Sequence, residues 1–170
     1  MALILPVKNI FPTIPNDCWL ADNATIVGDV TFGRKCSVWF NAVIRGDVHF
    51  IKIGDRTNIQ DGAIIHCTYQ KASTIIGNDV SIGHNAIVHG CHIKDHVLIG
   101  MGAIVMDNVV VNEYCIIAAG SVVLENTICE SGFLYAGTPA KKIKEITNEQ
   151  RELLNRLPNN YIMYSDWFKE

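Results

Sequence analysis

His66, His84 and His89 are the residues in this chain best placed to do chemistry. Three neutral imidazoles can hold a divalent cation, leave its positive charge uncompensated and keep one coordination position open for water. Water on such a cation falls from a pKa of 15.7 to about 7, which supplies a nucleophile at neutral pH. A single histidine is more often a turn or surface residue. Three inside one repeating pattern favour metal, and the spacing of the surrounding sequence assigns each of them a wall.

From Ile26 onward a bulky apolar residue recurs every six positions, as Ile26, Phe32, Val38 and Ile44. The series resumes at Ile53, Ile59 and Ile65, then at Ile76, Ile82 and Val88, and runs from Ile93 to Val123. Four residues after these starts the side chain is short, as at Cys36, Ala42, Ala63, Val80, Ala86 and Ala103, and glycine often follows the start directly. A short fixed period of this kind is the signature of a parallel β-helix, in which three hexapeptides close one triangular coil. The predicted fold class is all-β: a left-handed parallel β-helix of hexapeptide repeats with a C-terminal α-helical extension.

Residues three starts apart then share a wall, with neighbouring coils about 4.8 Å apart. Ile44, Ile65 and Val88 fall on one wall, so the residues after them, Arg45, His66 and His89, form a column. Ile59 and Ile82 lie on the preceding wall, and Asp61 and His84 form a second column near a corner. His66 and His89 can therefore grip one ion, but His84 belongs elsewhere. If all three bind one cation, His84 comes from another copy of the chain, and three-fold closure gives a homotrimer with three equal sites. The breaks in period single out the same wall. The steps of nine residues after Ile44, eleven after Ile65 and five after Val88 all begin there, and insertions in solenoids gather on a functional face.

With 170 residues, 49% hydrophobic, the chain suits one domain with a substantial core. A net charge of -3 argues against nucleic-acid binding. No apolar run reaches the roughly 20 residues of a membrane span. The opening residues lack the charged leader of a secretory signal, so the expected location is cytoplasmic. None of the six cysteines forms a C-x-x-C pair. Cys36 and Cys115 occupy short-residue corner positions, and Cys67 and Cys91 lie near the histidine column.

After Val123 the period fades, and Gly137 and Pro139 mark a turn out of the solenoid. The expected division is a β-helix domain over 1–140 and a helical extension over 141–170 that packs on it and covers the last coil. Thr147 and Gln150 read as a capping box, with Leu153, Leu154 and Leu157 as an apolar stripe. Pro158 is expected to interrupt, and Tyr161, Ile162, Tyr164, Trp167 and Phe168 to form a second short helix.

Three segments carry a family likeness: Arg45-Gly46-Asp47, Asn58-Ile59-Gln60-Asp61-Gly62 leading to His66, and Ile82-Gly83-His84 with His89-Gly90-Cys91. Together they resemble the gamma-class carbonic anhydrase family, whose solenoids often end as Ala136–Lys141 does here. The resemblance implies reversible hydration of carbon dioxide to bicarbonate, with His66, His84 and His89 as metal ligands and His84 supplied by the neighbouring subunit. It implies that Arg45 binds bicarbonate, that Asp47 is its interfacial partner, and that Gln60 orients the metal-bound hydroxide. Asp61 would accept protons, Asn58 would hold carbon dioxide, and Tyr161 would reach the site from the C-terminal helix. Zinc is the expected cofactor, although ferrous iron and cobalt also accept imidazoles. The expected partners are a second and third copy of the chain and the small-molecule substrate, with no nucleic acid and no membrane.

The chain departs from the family pattern at the proton exit. Val48 stands where a glutamate follows the Arg-x-Asp segment, and the loop Cys67-Thr68-Tyr69-Gln70-Lys71-Ala72-Ser73 carries no carboxylate. His92 and Tyr69 are the candidate substitutes. Two other functions remain open at this level: a coenzyme A-dependent acyltransferase or thioesterase of the hexapeptide family, and a non-catalytic metal-binding trimeric scaffold. His49 and His96 read as ordinary surface residues.

Overall fold

The computed structural model describes residues 1–169. The chain winds as a mostly β, parallel solenoid of about seven turns, followed by one C-terminal helix. Among the described residues no helix is long and apolar enough to cross a membrane.

The walls fall where the six-residue period places them. On the first wall Ile26 pairs with Ile44, Ile44 with Ile65, Ile65 with Val88, Val88 with Val105 and Val105 with Val123. The second wall stacks Phe32, Ile53, Ile76, Ile93, Val111 and Cys129. The third stacks Leu20, Val38, Ile59, Ile82, Ile99, Ile117 and Tyr135. The first two walls belong to a single 11-stranded sheet, because strands Thr25–Phe32 and Val43–Ile53 run unbroken through the corner between them. The inward side chains form one continuous buried core, with the short residues Ala42, Thr57, Ala63, Val80 and Ala86 filling its corners.

The glycines after the starts serve a purpose the period does not reveal. The left-handed backbone of each corner falls three residues after a start, at Asn41 (φ 60°), Gly62 (φ 69°) and Asn85 (φ 57°), where asparagine and glycine are tolerated. Gly54 follows Ile53 directly and is needed for close approach instead. A Cβ there would lie 2.5 Å from the carbonyl carbon and 2.6 Å from the oxygen of Gly77 on the next coil. Gly54→Ala should therefore cost about 1–3 kcal/mol, the range for overpacking a tight site, read as a lower denaturation midpoint at unchanged slope.

The C-terminal segment differs from expectation in three ways. Ala140–Glu145 is not helical: it folds back as an antiparallel strand on Phe133–Gly137. This strand, not the helix, covers the last coil of the third wall and satisfies its exposed backbone edge. A boundary at 140 therefore falls inside a sheet, and the expected extension ends at Glu170, outside the described residues. The helix begins at Asn148 with Thr147 and Gln150 in the reciprocal capping box. It then continues without interruption to Asp166, with Pro158 inside it. Proline forfeits a backbone hydrogen bond and crowds the preceding turn. Here Leu154, Pro158 and Ser165 are all buried on one face, and that packing holds the helix together.

The helix lies along the third wall from the last coils back to the first. Arg151 sits over the Tyr114 ring at 4.1 Å, Tyr161 meets Trp39 at 5.4 Å, and beyond the helix Phe168 reaches Trp19 at 5.1 Å.

Candidate metal centre

Strands Ile64–His66 and Ile87–His89 pair in parallel with His66 opposite His89. Ile65 and Val88 point into the core, so both imidazoles point outward. Their nearest nitrogens, His66 Nδ1 and His89 Nε2, are 3.0 Å apart. Two nitrogens each about 2.0–2.1 Å from one tetrahedral ion stand about 3.3 Å apart, so the pair fits a shared cation with little movement.

Carboxylates hold both rings. His89 Nδ1 lies 2.6 Å from Asp107 Oδ1, and the other Asp107 oxygen accepts from the Thr68 hydroxyl. When Nδ1 carries the proton, the Nε2 lone pair faces His66, which is the arrangement that prepares a histidine for metal. His66 Nε2 lies 3.0 Å from Asp47 Oδ1, and Arg45 donates to the second oxygen of Asp47. Burial works to raise the carboxyl of Asp107, but its bonds to Thr68 and His89 outweigh this and hold it below the usual range. Asp47 is held low in the same way by Arg45 and His66. Burial, aided by the Arg45 charge, pushes His66 down and favours the neutral form that binds metal.

His84 lies at the other end of the same wall. The corner before the first-wall strands carries Asp61 and His84, with His84 Nδ1 2.8 Å from Asp61 Oδ2. His66 and His89 close those strands, so the width of the wall separates His84 from them. Accordingly, no three such side chains of one chain come together as a metal cluster among the described residues. The outer face between the two histidine sets is apolar: Ile64 is 42% exposed, and Ile87 and Ile104 beside it are half-buried.

The remaining site residues gather at the His84 end. Gln60 Nε2 donates to Asn58 Oδ1 at 2.9 Å, and Asn58 Nδ2 donates to Ser81 Oγ at 2.8 Å. Asn58 is only 1% exposed, so it braces Gln60 from within. Tyr161 lines a cavity shared with Asp61, His84 and Trp39. Burial, with Asp61 nearby, pushes its phenol up to about 12, which keeps it neutral and able to donate.

Asp47, expected at a subunit interface, contacts Arg45 and His66 of its own chain. Cys67 and Cys91 are buried with their thiols pushed up by burial, so they serve packing. Tyr69 sits exposed on the turn after His66, and His92 lies on the second wall. Asp107 and Thr68 escaped the sequence reading. Asp107 stands two residues after the start Val105, one coil beyond His89, and extending the wall count by one coil finds it. Asp107→Asn should weaken metal binding about 10- to 100-fold, measured by competition against a chelator of known affinity, with the fold intact by circular dichroism.

Comparison with known proteins bears on this site. Residues 90–125 match the family described as bacterial transferase hexapeptide (six repeats). The chain is 39% identical to gamma carbonic anhydrase 2, mitochondrial, of Arabidopsis thaliana, over 92% of this chain and 59% of that protein. It thus spans less than two thirds of that relative. It is 37% identical to a carbonic anhydrase of Geobacillus kaustophilus, over 98% of this chain and 91% of that one. The crystal structure of a hexapeptide transferase family protein from Anaplasma phagocytophilum superposes with a TM-score of 0.94 at 38% identity, covering 98% of both chains.

Proposed function

Because the chain belongs to the gamma carbonic anhydrase family of hexapeptide-repeat proteins, we propose that it catalyses the reversible hydration of carbon dioxide to bicarbonate at a site completed between two subunits. One observation carries this reading: His66 and His89 stand 3.0 Å apart, each braced by a carboxylate, while His84 waits at the opposite end of the same wall. Head-to-tail association of copies through the apolar outer face brings one chain's His84 to a neighbour's His66 and His89. A closed ring of three then holds three equal sites.

His66, His84 and His89 would hold the cation, for which zinc is proposed and ferrous iron or cobalt are the alternatives. When bound, it supplies Lewis-acid activation of water at neutral pH. The chain's own residues do the rest. Arg45 places a fixed positive charge beside His66 through Asp47, where an anionic product is stabilised. The Gln60 side chain, braced by Asn58, is an orienting group near His84. Hydration also yields a proton, and Asp61 is an acceptor beside His84 with neutral Tyr161 as a hydrogen-bond donor next to it.

The test is stopped-flow carbon dioxide hydration on protein of measured metal content, with and without chelation. Rapid hydration that chelation abolishes supports the proposal. Metal-loaded trimer without turnover favours the scaffold reading, and acetyl-coenzyme A turnover that survives chelation favours acyl transfer.

A further inference from the structure

Away from the histidines, one pair of cysteines stands in a relation no other pair shares. Cys18 and Cys36 occupy successive places in one corner column that later coils fill with Thr57, Val80, Val97 and Cys115. Trp19 pairs in register with Ser37, and Trp19 N–H donates to the Cys36 carbonyl at 2.9 Å, so the two cysteines are direct neighbours across adjacent coils. Strands so paired stand about 4.8 Å apart, inside the roughly 4.4–6.8 Å between Cα atoms that a disulfide spans. The side chains also converge: the Cys18 thiol lies 3.2 Å and the Cys36 thiol 3.6 Å from the same Gly33 carbonyl oxygen. Of the six cysteines, Cys18 alone is partly exposed.

We propose that Cys18 and Cys36 form a reversible redox pair, oxidised by hydrogen peroxide to a disulfide that ties the first coil to the second. The Cys18 thiolate attacks the peroxide oxygen, and one water leaves as Cys18 becomes a sulfenic acid. The Cys36 sulfur then attacks the Cys18 sulfur, closing the S–S bond and expelling a second water. Two thiols give up two electrons and the peroxide takes them. The nucleophile is Cys18, whose pKa is lowered chiefly by the Cys36 thiol against the opposing effect of burial, while Cys36 is pushed upward by its neighbour and by burial. The bond would secure Trp19, whose ring packs on Trp39 at 4.8 Å and on Phe168 at 5.1 Å. Oxidation would thus clamp the edge strand on which the C-terminal aromatic residues rest.

Tryptic cleavage separates the two residues, Cys18 in Asn9–Arg34 and Cys36 in Cys36–Arg45, each peptide with a single cysteine. Native full-length protein is treated with hydrogen peroxide, alkylated in denaturant and digested without reductant. Mass spectrometry should show these two peptides joined, and dithiothreitol should separate them. The melting midpoint should rise by several degrees on oxidation and return on reduction. Cys18→Ser should leave Cys36 fully alkylatable, whereas Cys91→Ser should leave the cross-link unchanged. Cys18 recovered as an unlinked sulfinic acid overturns the proposal, as does a cross-link of Cys36 to any other cysteine or one that forms only in unfolded chains.

Discussion

Replacing His89 by alanine is expected to lower kcat/KM for carbon dioxide hydration by about a thousandfold or more, with loss of bound metal. A change in the support around a metal ligand already costs about 10- to 100-fold, and this substitution removes a ligand itself. It also empties one side of the 3.0 Å nitrogen pair and leaves Asp107 without its imidazole. The half-buried ring lies outside the core, so the fold should survive, which a melting midpoint matching that of metal-free wild-type protein would verify. His96→Ala, whose ring stacks on Tyr114 away from both histidine sets, is the matched control and should leave both metal content and rate unchanged. Stopped-flow hydration with metal counted per chain measures the effect. Wild-type protein that holds metal yet hydrates no faster than His89→Ala would remove catalysis from the proposal and leave the metal site standing.

Mixing two inactive variants should restore activity. In His66→Ala protein each chain keeps His84 but loses half of its own pair, and in His84→Ala protein the reverse holds. When equal amounts are unfolded and reassembled together in a closed head-to-tail ring, roughly one site in four draws all three histidines from intact positions. The expected outcome is therefore about a quarter of the wild-type metal content and rate, while each variant reassembled alone shows neither. Metal counting reads the result independently of turnover, so the interface is tested even if hydration is slow. No recovery in a mixture shown to contain mixed oligomers would mean that the three ligands do not meet across subunits.

The legibility of this protein from its residues follows from its repeat. A coil of three hexapeptides touches only its neighbours, so position along the chain converts into position in space. That is why Ile44, Ile65 and Val88 could be assigned one wall and His66 placed opposite His89 before any coordinates. The same count separated His84 from them. Glycine was harder, because a period shows where it recurs and not which demand it meets. At Gly54 the demand is the approach of the next coil's backbone. Asp107 was within reach of the count but lies outside the histidine motifs, and its value is apparent from the 2.6 Å contact with His89.

Past Val123 the conversion fails. Nothing in Ala140-Lys141-Lys142-Ile143-Lys144-Glu145 alternates as a buried strand should, and its pairing comes from the open edge of Phe133–Gly137. Pro158 argues locally for a break, yet burial of Leu154, Pro158 and Ser165 against the third wall carries the helix on to Asp166. Composition and period were thus sufficient for the solenoid, its walls and the pairing of two histidines, since those depend on contacts one coil away. The course of the C-terminal segment, the bracing of the imidazoles by Asp47 and Asp107, and the convergence of two thiols on the Gly33 carbonyl were settled by packing. Side-chain direction and long-range contact have no period to betray them.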